Sequence, residues 1–264
     1  MKNTEIFLEI AKTDLKAAKC LYEARLYPQA IFFLQQSVEK MMKAFGSIDS
    51  DFSLDILKNK VGHKPFMVFV VSIKQFVKTF EEKSGVSTSD TISGVFQQNP
   101  NDFMVQVKRY EKLYLRVGKI KGLSTFVLRT YLKKIVNQIR NPQFLSKSDH
   151  ETEAFISSIE KFLKQKFVGY SNQIDTMCST LNKYLHNIAN ALGPLTFLIL
   201  ILPASCVQDT RYPTETSNPL DLYKFDHSLV KSFGEVTEIC DFVIGRLGDF
   251  FTMYKEIDNI EGQV

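Results

Sequence analysis

Gln35, Gln36, Glu39, Lys40 and Lys43 place two carboxamides, one carboxylate and two ammonium groups on a single short stretch of chain. Two readings of that set are open. The five residues are a solvated face, with Gln36 to Lys40 and Glu39 to Lys43 at the four-residue spacing that supports an exposed helix. Alternatively they hold a ligand or a partner. A second cationic run, Lys108, Arg109, Lys112, Arg116, Lys119 and Lys121, is interleaved with Tyr110 and Tyr114. It could contact a nucleic-acid backbone and stack a base, or be a wet helix face with the tyrosines at the core boundary. His186 has Lys183 three residues before it, on the same face of a predicted helix. His63 and His227 each stand near a helix start, where capping or loop hydrogen bonds account for them.

Several chemistries are missing from the sequence. It contains no Gly-rich phosphate loop, no His-Glu-x-x-His, no Gly-x-Ser-x-Gly and no tight carboxylate cluster. Cys20, Cys178, Cys206 and Cys240 stand far apart, with no pair at zinc-site spacing. Neither a metal nor a cofactor is expected. Cys20, Cys178 and Cys240 fall in predicted helices and read as small buried hydrophobes.

The elements that position these groups are helices throughout, and no strand-like alternation appears. The first runs from about Thr4 to Ala24 with Phe7, Ile10, Ala11, Leu15, Ala18 and Leu21 inward. The second covers residues 27–46. Pro28 suits its first turn, Gly46 suits a left-handed closing residue, and Ile31, Leu34, Val38, Met41, Met42 and Phe45 form its stripe. A third helix is expected from Pro65 to Gly85, then a polar linker over residues 86–101. Further helices follow at about residues 102–117, 124–140 and 149–167. Ser171 opens a long helix to about Leu192, which Gly193-Pro194 ends before an apolar piece from Leu195 to Leu202. After a loop from Cys206 to Lys224, Asp226 caps a final helix with Leu229, Phe233, Val236, Ile239, Phe242, Val243, Leu247 and Phe250 inward. Gly234, Gly245 and Gly248 weaken that helix unless close helix approach offsets them.

A chain of 264 residues with 44% hydrophobic content can bury a sizeable core. The formal charge of +4 is a mild basic bias that permits an anionic partner without requiring one. The start shows no signal-peptide pattern, and the run from Leu195 to Leu202 is too short to cross a bilayer. A cytoplasmic protein without a membrane partner is expected.

The opening pair of helices, with its Gln35-Gln36-x-x-Glu39-Lys40-x-x-Lys43 run, resembles the first hairpin of the HEPN family, the nucleotide-binding domains of higher eukaryotes and prokaryotes. Val61-Gly-His-Lys64 and Thr210-Arg-Tyr-Pro213 resemble two further steps of that family in the expected order. The resemblance implies an all-α, antiparallel up-and-down bundle made of residues 1–85 and 171–264, with residues 86–170 as an inserted helical layer packed on it. It also implies a homodimer and a polar site comprising Gln36, Glu39, Lys40, Lys43 and Arg211. Glu39 and Lys40 should then lie covered, by the loop carrying Arg211 or by a second protomer, with Arg211 reaching a carboxylate.

Many relatives in that family resemble metal-independent ribonucleases, with an Arg followed four to six residues later by a His. The His relays the proton of an attacking 2′-hydroxyl and the Arg neutralises charge on the phosphate. None of Arg25, Arg109, Arg116, Arg129, Arg140, Arg211 and Arg246 has a His at that spacing. The nearest approach is Arg140 and His150, and His186 stands where the family often places its motif. These three are the only catalytic candidates. The expected function is a noncatalytic or degenerate module that binds a nucleotide, RNA or a protein. The alternatives are an RNA-cleaving toxin or defence ribonuclease with an atypical site, and a structural partner of a nucleotidyltransferase.

Overall fold

The computed structural model describes residues 3–47, 68, 71, 125–141, 157–158, 160–165, 169, 171–202, 210–211 and 218–261, and every regular element among them is helical. In chain order these are α1 (Asn3–Glu23), α2 (Tyr27–Gly46), α3 (Thr125–Ile139), α4 (Ser171–Ile201), α5 (Pro219–Leu222), α6 (Ser228–Lys231) and α7 (Phe233–Glu261). Of the expected helix over 65–85 only Val68 and Val71 are described, both helical; the expected helix over 102–117, the linker over 86–101, the Lys108–Lys121 run and His63 lie outside the described residues.

The hairpin of α1 and α2 forms as its periodicity dictates. Leu8, Ala11, Leu15 and Ala18 of α1 are buried against Ile31, Leu34, Val38, Met41 and Met42 of α2 in one core. Ile10, expected inward, is exposed instead; the stripe runs through Leu8. Cys20 is likewise exposed rather than buried, while Cys178 and Cys240 are buried as expected. The turn uses Arg25 in the left-handed region at φ 61°, where its N–H donates to Tyr22 O and the Leu26 N–H donates to Leu21 O, both at 2.9 Å. These are the paired bonds that close a helix around a left-handed residue, a position usually given to glycine.

At the other end of the hairpin, Gly46 is the last helical residue of α2 and does not adopt a positive φ. Ser47 closes the turn instead. Its hydroxyl bonds to Ala44 O at 3.0 Å and lies 3.1 Å from the buried Thr4 hydroxyl, tying the start of α1 to the end of α2.

The chain's distant end returns to this hairpin. α7 packs on both α1 and α2, and α4 packs on α7 and α2. Lys19 of α1 donates to Asp241 of α7 at 2.7 Å, Tyr22 stacks on Phe233 with ring centroids 4.2 Å apart, and the Tyr22 hydroxyl donates to Val230 O at 3.1 Å. Pairing 19 with 241 and 22 with 233 makes α7 antiparallel to α1. α3 lies on the outer side of α7, to which Leu128, Leu132 and Val136 contribute buried side chains.

Two boundaries differ from expectation. α4 runs without a break through Pro194 to Ile201, although Gly193-Pro194 reads as a stop. With no Cβ on Gly193, the usual clash between a proline ring and the preceding residue is relieved, and Leu195, Leu198 and Ile199 beyond it are fully buried. The final helix is two pieces. α6 ends at Ser232 before α7 begins, and the cap of α6 is His227 rather than Asp226: its Nδ1 accepts from the Leu229 N–H at 3.3 Å.

That cap carries a pH signature. Burial pushes the His227 imidazole below its ordinary 6.5, against the opposing pull of Asp226. A neutral ring is also what an accepting Nδ1 requires. The stabilisation is therefore complete above pH 6.5 and is lost as pH falls through and below that value. His227→Asn, which keeps a capping acceptor, should show a smaller fall in Tm than wild type between about pH 7.5 and about pH 5.5 in thermal melts.

The glycines of α7 do not mark close helix approach. A Cβ built on Gly245 or Gly248 meets no atom within 4 Å. Gly245→Ala and Gly248→Ala should each stabilise the fold by about 0.5–1 kcal/mol in denaturant titrations, the helix-propensity difference without an opposing clash.

Candidate functional site

α2 is covered on nearly all sides, by α1, α4, α5, α6 and α7. Its polar residues consequently do not form a wet face. Gln35 is 1% and Glu39 2% exposed, and Gln36, Lys40 and Lys43 are partly covered. Burial of a carboxylate requires partners, and the sequence provides them one turn and one residue away. Lys43 Nζ donates to Glu39 Oε1 at 2.7 Å, and Lys40 Nζ lies 3.8 Å from the same oxygen. Lys40 Nζ also donates to Gln36 Oε1 at 3.2 Å, and Gln36 Nε2 donates to Gln35 Oε1 at 2.7 Å. Four of the proposed site's five residues are thus brought into one chain of contacts, extended by Gln35.

α1 adds a member that sequence reading passed over. Asp14 is partly covered, and its carboxyl is raised above 3.8 by burial, with Lys40 pulling it down and Glu39 pushing it further up. The signal was available: Asp14 stands between Ala11, Leu15 and Ala18 on the inward side of an apolar stripe. Ser37, also fully buried, donates from its hydroxyl to Ala11 O at 2.8 Å and locks the two helices in register beside the cluster.

Arg211 reaches α2 as well. Thr210 beside it is buried, and the guanidinium carbon lies 5.3 Å from the centroid of the Phe32 ring. Phe32 and Glu39 are seven residues apart, two turns along one side of α2. Within the cluster the ammonium groups of Lys40 and Lys43 face the carboxyl groups of Glu39 and Asp14, and Arg211 stands further along the helix at Phe32.

The catalytic candidates are not assembled among the described residues. Arg140, just past α3, is held by Glu238 of α7: Nε donates to Oε1 and Nη2 to Oε2, each at 2.6 Å. This bidentate pair joins residues 98 apart in sequence and gives Arg140 a structural role that spacing could not disclose. His186 is within α4, its side chain outside the described residues, and His150 lies outside them as well. No group of three metal-ligating side chains occurs among the described residues, and no helix among them is long and apolar enough to cross a membrane.

An all-α hairpin returning to a C-terminal helix, with a covered Gln-Gln-x-x-Glu-Lys-x-x-Lys cluster, defines the class. The family model described as HEPN domain matches this chain over residues 4–47, the whole of that hairpin. Over residues 85–221, a little over half of its length, the chain also falls within the family described as 25S rRNA (adenine(2142)-N(1))-methyltransferase, Bmt2. The two segments do not overlap.

Among individual proteins, the chain is similar to one from Methanocaldococcus jannaschii named "Putative toxin MJ1304", 24% identical over 174 residues that cover 63% of this chain and 92% of that protein. No solved structure matches the chain.

Proposed function

We propose that this chain is a noncatalytic HEPN module that binds an anionic ligand of the nucleotide class, free or as part of RNA, at the α2 cluster. The observation carrying this reading is the convergence of Lys40 and Lys43 on the nearly buried Glu39. A shared carboxylate holds two ammonium groups in fixed positions beneath a partly covered surface. A phosphate arriving there meets cations whose side-chain entropy is already spent. Gln36 offers an adjacent amide, and Arg211 adds a third cation at Phe32. The absence of an Arg-to-His step anywhere in the sequence supports binding over cleavage. A homodimer, which the family resemblance implies, is the assembly we favour.

The test is calorimetric titration of the purified chain with ATP. Wild type should bind, and Lys40→Met and Lys43→Met should each weaken binding about tenfold, the loss of one charge-assisted contact. Absence of binding by wild type, or unchanged affinity in both variants, would remove the reading.

The relative named as a toxin favours a second reading, in which the chain arrests growth through RNA. Induced expression in a host followed by RNA sizing separates the two. Cleavage lost in His186→Ala would establish the nuclease, and arrest without cleavage would fit a binding module.

Methyl transfer is not proposed from the match over residues 85–221. Glycines in that segment are Gly85, Gly94, Gly118, Gly122, Gly169 and Gly193, never closer than four apart. A Gly-x-Gly turn for close backbone approach to a nucleotide cofactor is therefore missing.

A further inference from the structure

We propose that the outer face of α3 is a docking surface for single-stranded nucleic acid, separate from the α2 cluster. Residues 125–141 contain no acidic side chain. The helix buries Leu128, Leu132 and Val136 and turns Arg129, Tyr131, Lys133, Lys134 and Asn137 to solvent. Arg129, Lys133 and Lys134 take part in no ion pair among the described residues, in contrast to Arg140 just past the end of the helix, which Glu238 neutralises. Three cations on one side of one helix, uncompensated by their own element, attract a polyanion.

Two further features select the kind of polyanion. Tyr131 is 55% exposed, a large ring left in water where nothing in the core requires it, and it lies one turn before Lys134. On the same helix a shallow depression of about 600 Å³ is lined by Thr130, Lys133, Lys134, Asn137, Gln138 and Asn141. Cations for phosphates, a ring for stacking and amides for base edges are the set that an unpaired strand uses. An acidic protein would need the cations but not the exposed ring. Arg129 to Asn141 spans about 18 Å of helix, enough for a few nucleotides.

This inference goes beyond the α2 reading and can fail without it. The probe is a fluorescein-labelled 12-nucleotide single-stranded RNA, followed by anisotropy from about 50 to about 200 mM salt. Wild type should bind with an affinity that falls steeply with salt. Arg129→Gln/Lys133→Gln/Lys134→Gln should weaken it at least about tenfold and reduce the logarithmic salt slope by about two, three phosphate contacts of a single strand. Tyr131→Ala should weaken it about tenfold with the salt slope unchanged. All four positions are exposed, and thermal melts will confirm that the variants fold. The triple variant should leave the calorimetric affinity for ATP at the α2 cluster unchanged, so the failure of this surface and the failure of the α2 reading are distinguishable. No RNA binding by wild type, an unaffected triple variant, or an unaffected Tyr131→Ala protein that binds duplex RNA equally well would each overturn the proposal.

Discussion

Leu34→Ala is expected to destabilise the chain by about 3–4 kcal/mol, far more than the same truncation at an exposed helical position. Leu34 has no exposed surface and occupies the middle of the one helix that touches α1, α4, α5, α6 and α7. A side chain enclosed by several elements leaves a hole that no single neighbour can move to fill, because each is pinned by the others. Truncations in such places fall toward the upper part of the ~2–5 kcal/mol range for leucine. Ile10→Ala is the matched control on α1. At 37% exposure that residue loses less buried area and its neighbourhood opens to water, so a cost below about 1.5 kcal/mol is expected. Urea unfolding curves for both proteins give the comparison. A Leu34→Ala cost no larger than that of Ile10→Ala would mean that α2 is not the centre of the fold.

The helical class was legible because it depends on local periodicity, whereas the return of the last helix to the first hairpin was an expectation from the family resemblance. Val236, Ile239, Val243 and Leu247 repeat at three- and four-residue steps, and all are buried. What failed depends on information that a local pattern does not contain. A stripe on α2 suggests one buried side and one wet side, and only the family resemblance pointed to cover over Glu39 and Lys40; Gln35 and Glu39 are buried because five elements surround that helix. Likewise, Gly193-Pro194 reads as a stop when only local sterics are considered, whereas burial of Leu195, Leu198 and Ile199 extends the helix past it.

The candidate site divides along the same line. Gln36, Glu39, Lys40 and Lys43 share a helix, so their proximity followed from spacing. Asp14 comes from another helix and Arg211 from a distant segment, and only packing reveals that both arrive at α2. The Arg140 to Glu238 pair is the extreme case, since neither residue's local context points to the other.

Glu39→Ala should be the second large loss, about 2–4 kcal/mol, and it separates a structural centre from a wet surface. An exposed pair of this kind contributes no more than about 0.5 kcal/mol when four residues apart on a helix. Glu39 is 2% exposed, and the Lys43 and Lys40 side chains retain only 15% and 18% of their surface. Removing the carboxylate leaves two largely covered ammonium groups beside each other, with Gln36 as the remaining acceptor for Lys40. Water reaching the lysine tips moderates that penalty, which is why the range stays below the cost of breaking a fully buried pair. Lys43→Ala should cost less, because Glu39 keeps Lys40 nearby. The decisive comparison is Glu39→Leu with Lys43→Leu. If the single loss comes from stranded charge rather than lost packing, the double replacement should recover much of the stability while abolishing ATP binding, since apolar substitutes for a covered ion pair are often nearly neutral for folding. Thermal melts and sedimentation read both halves. A Glu39→Ala protein that melts and sediments like wild type would return these residues to a solvated face, and a double variant as unstable as the single one would place the loss in packing.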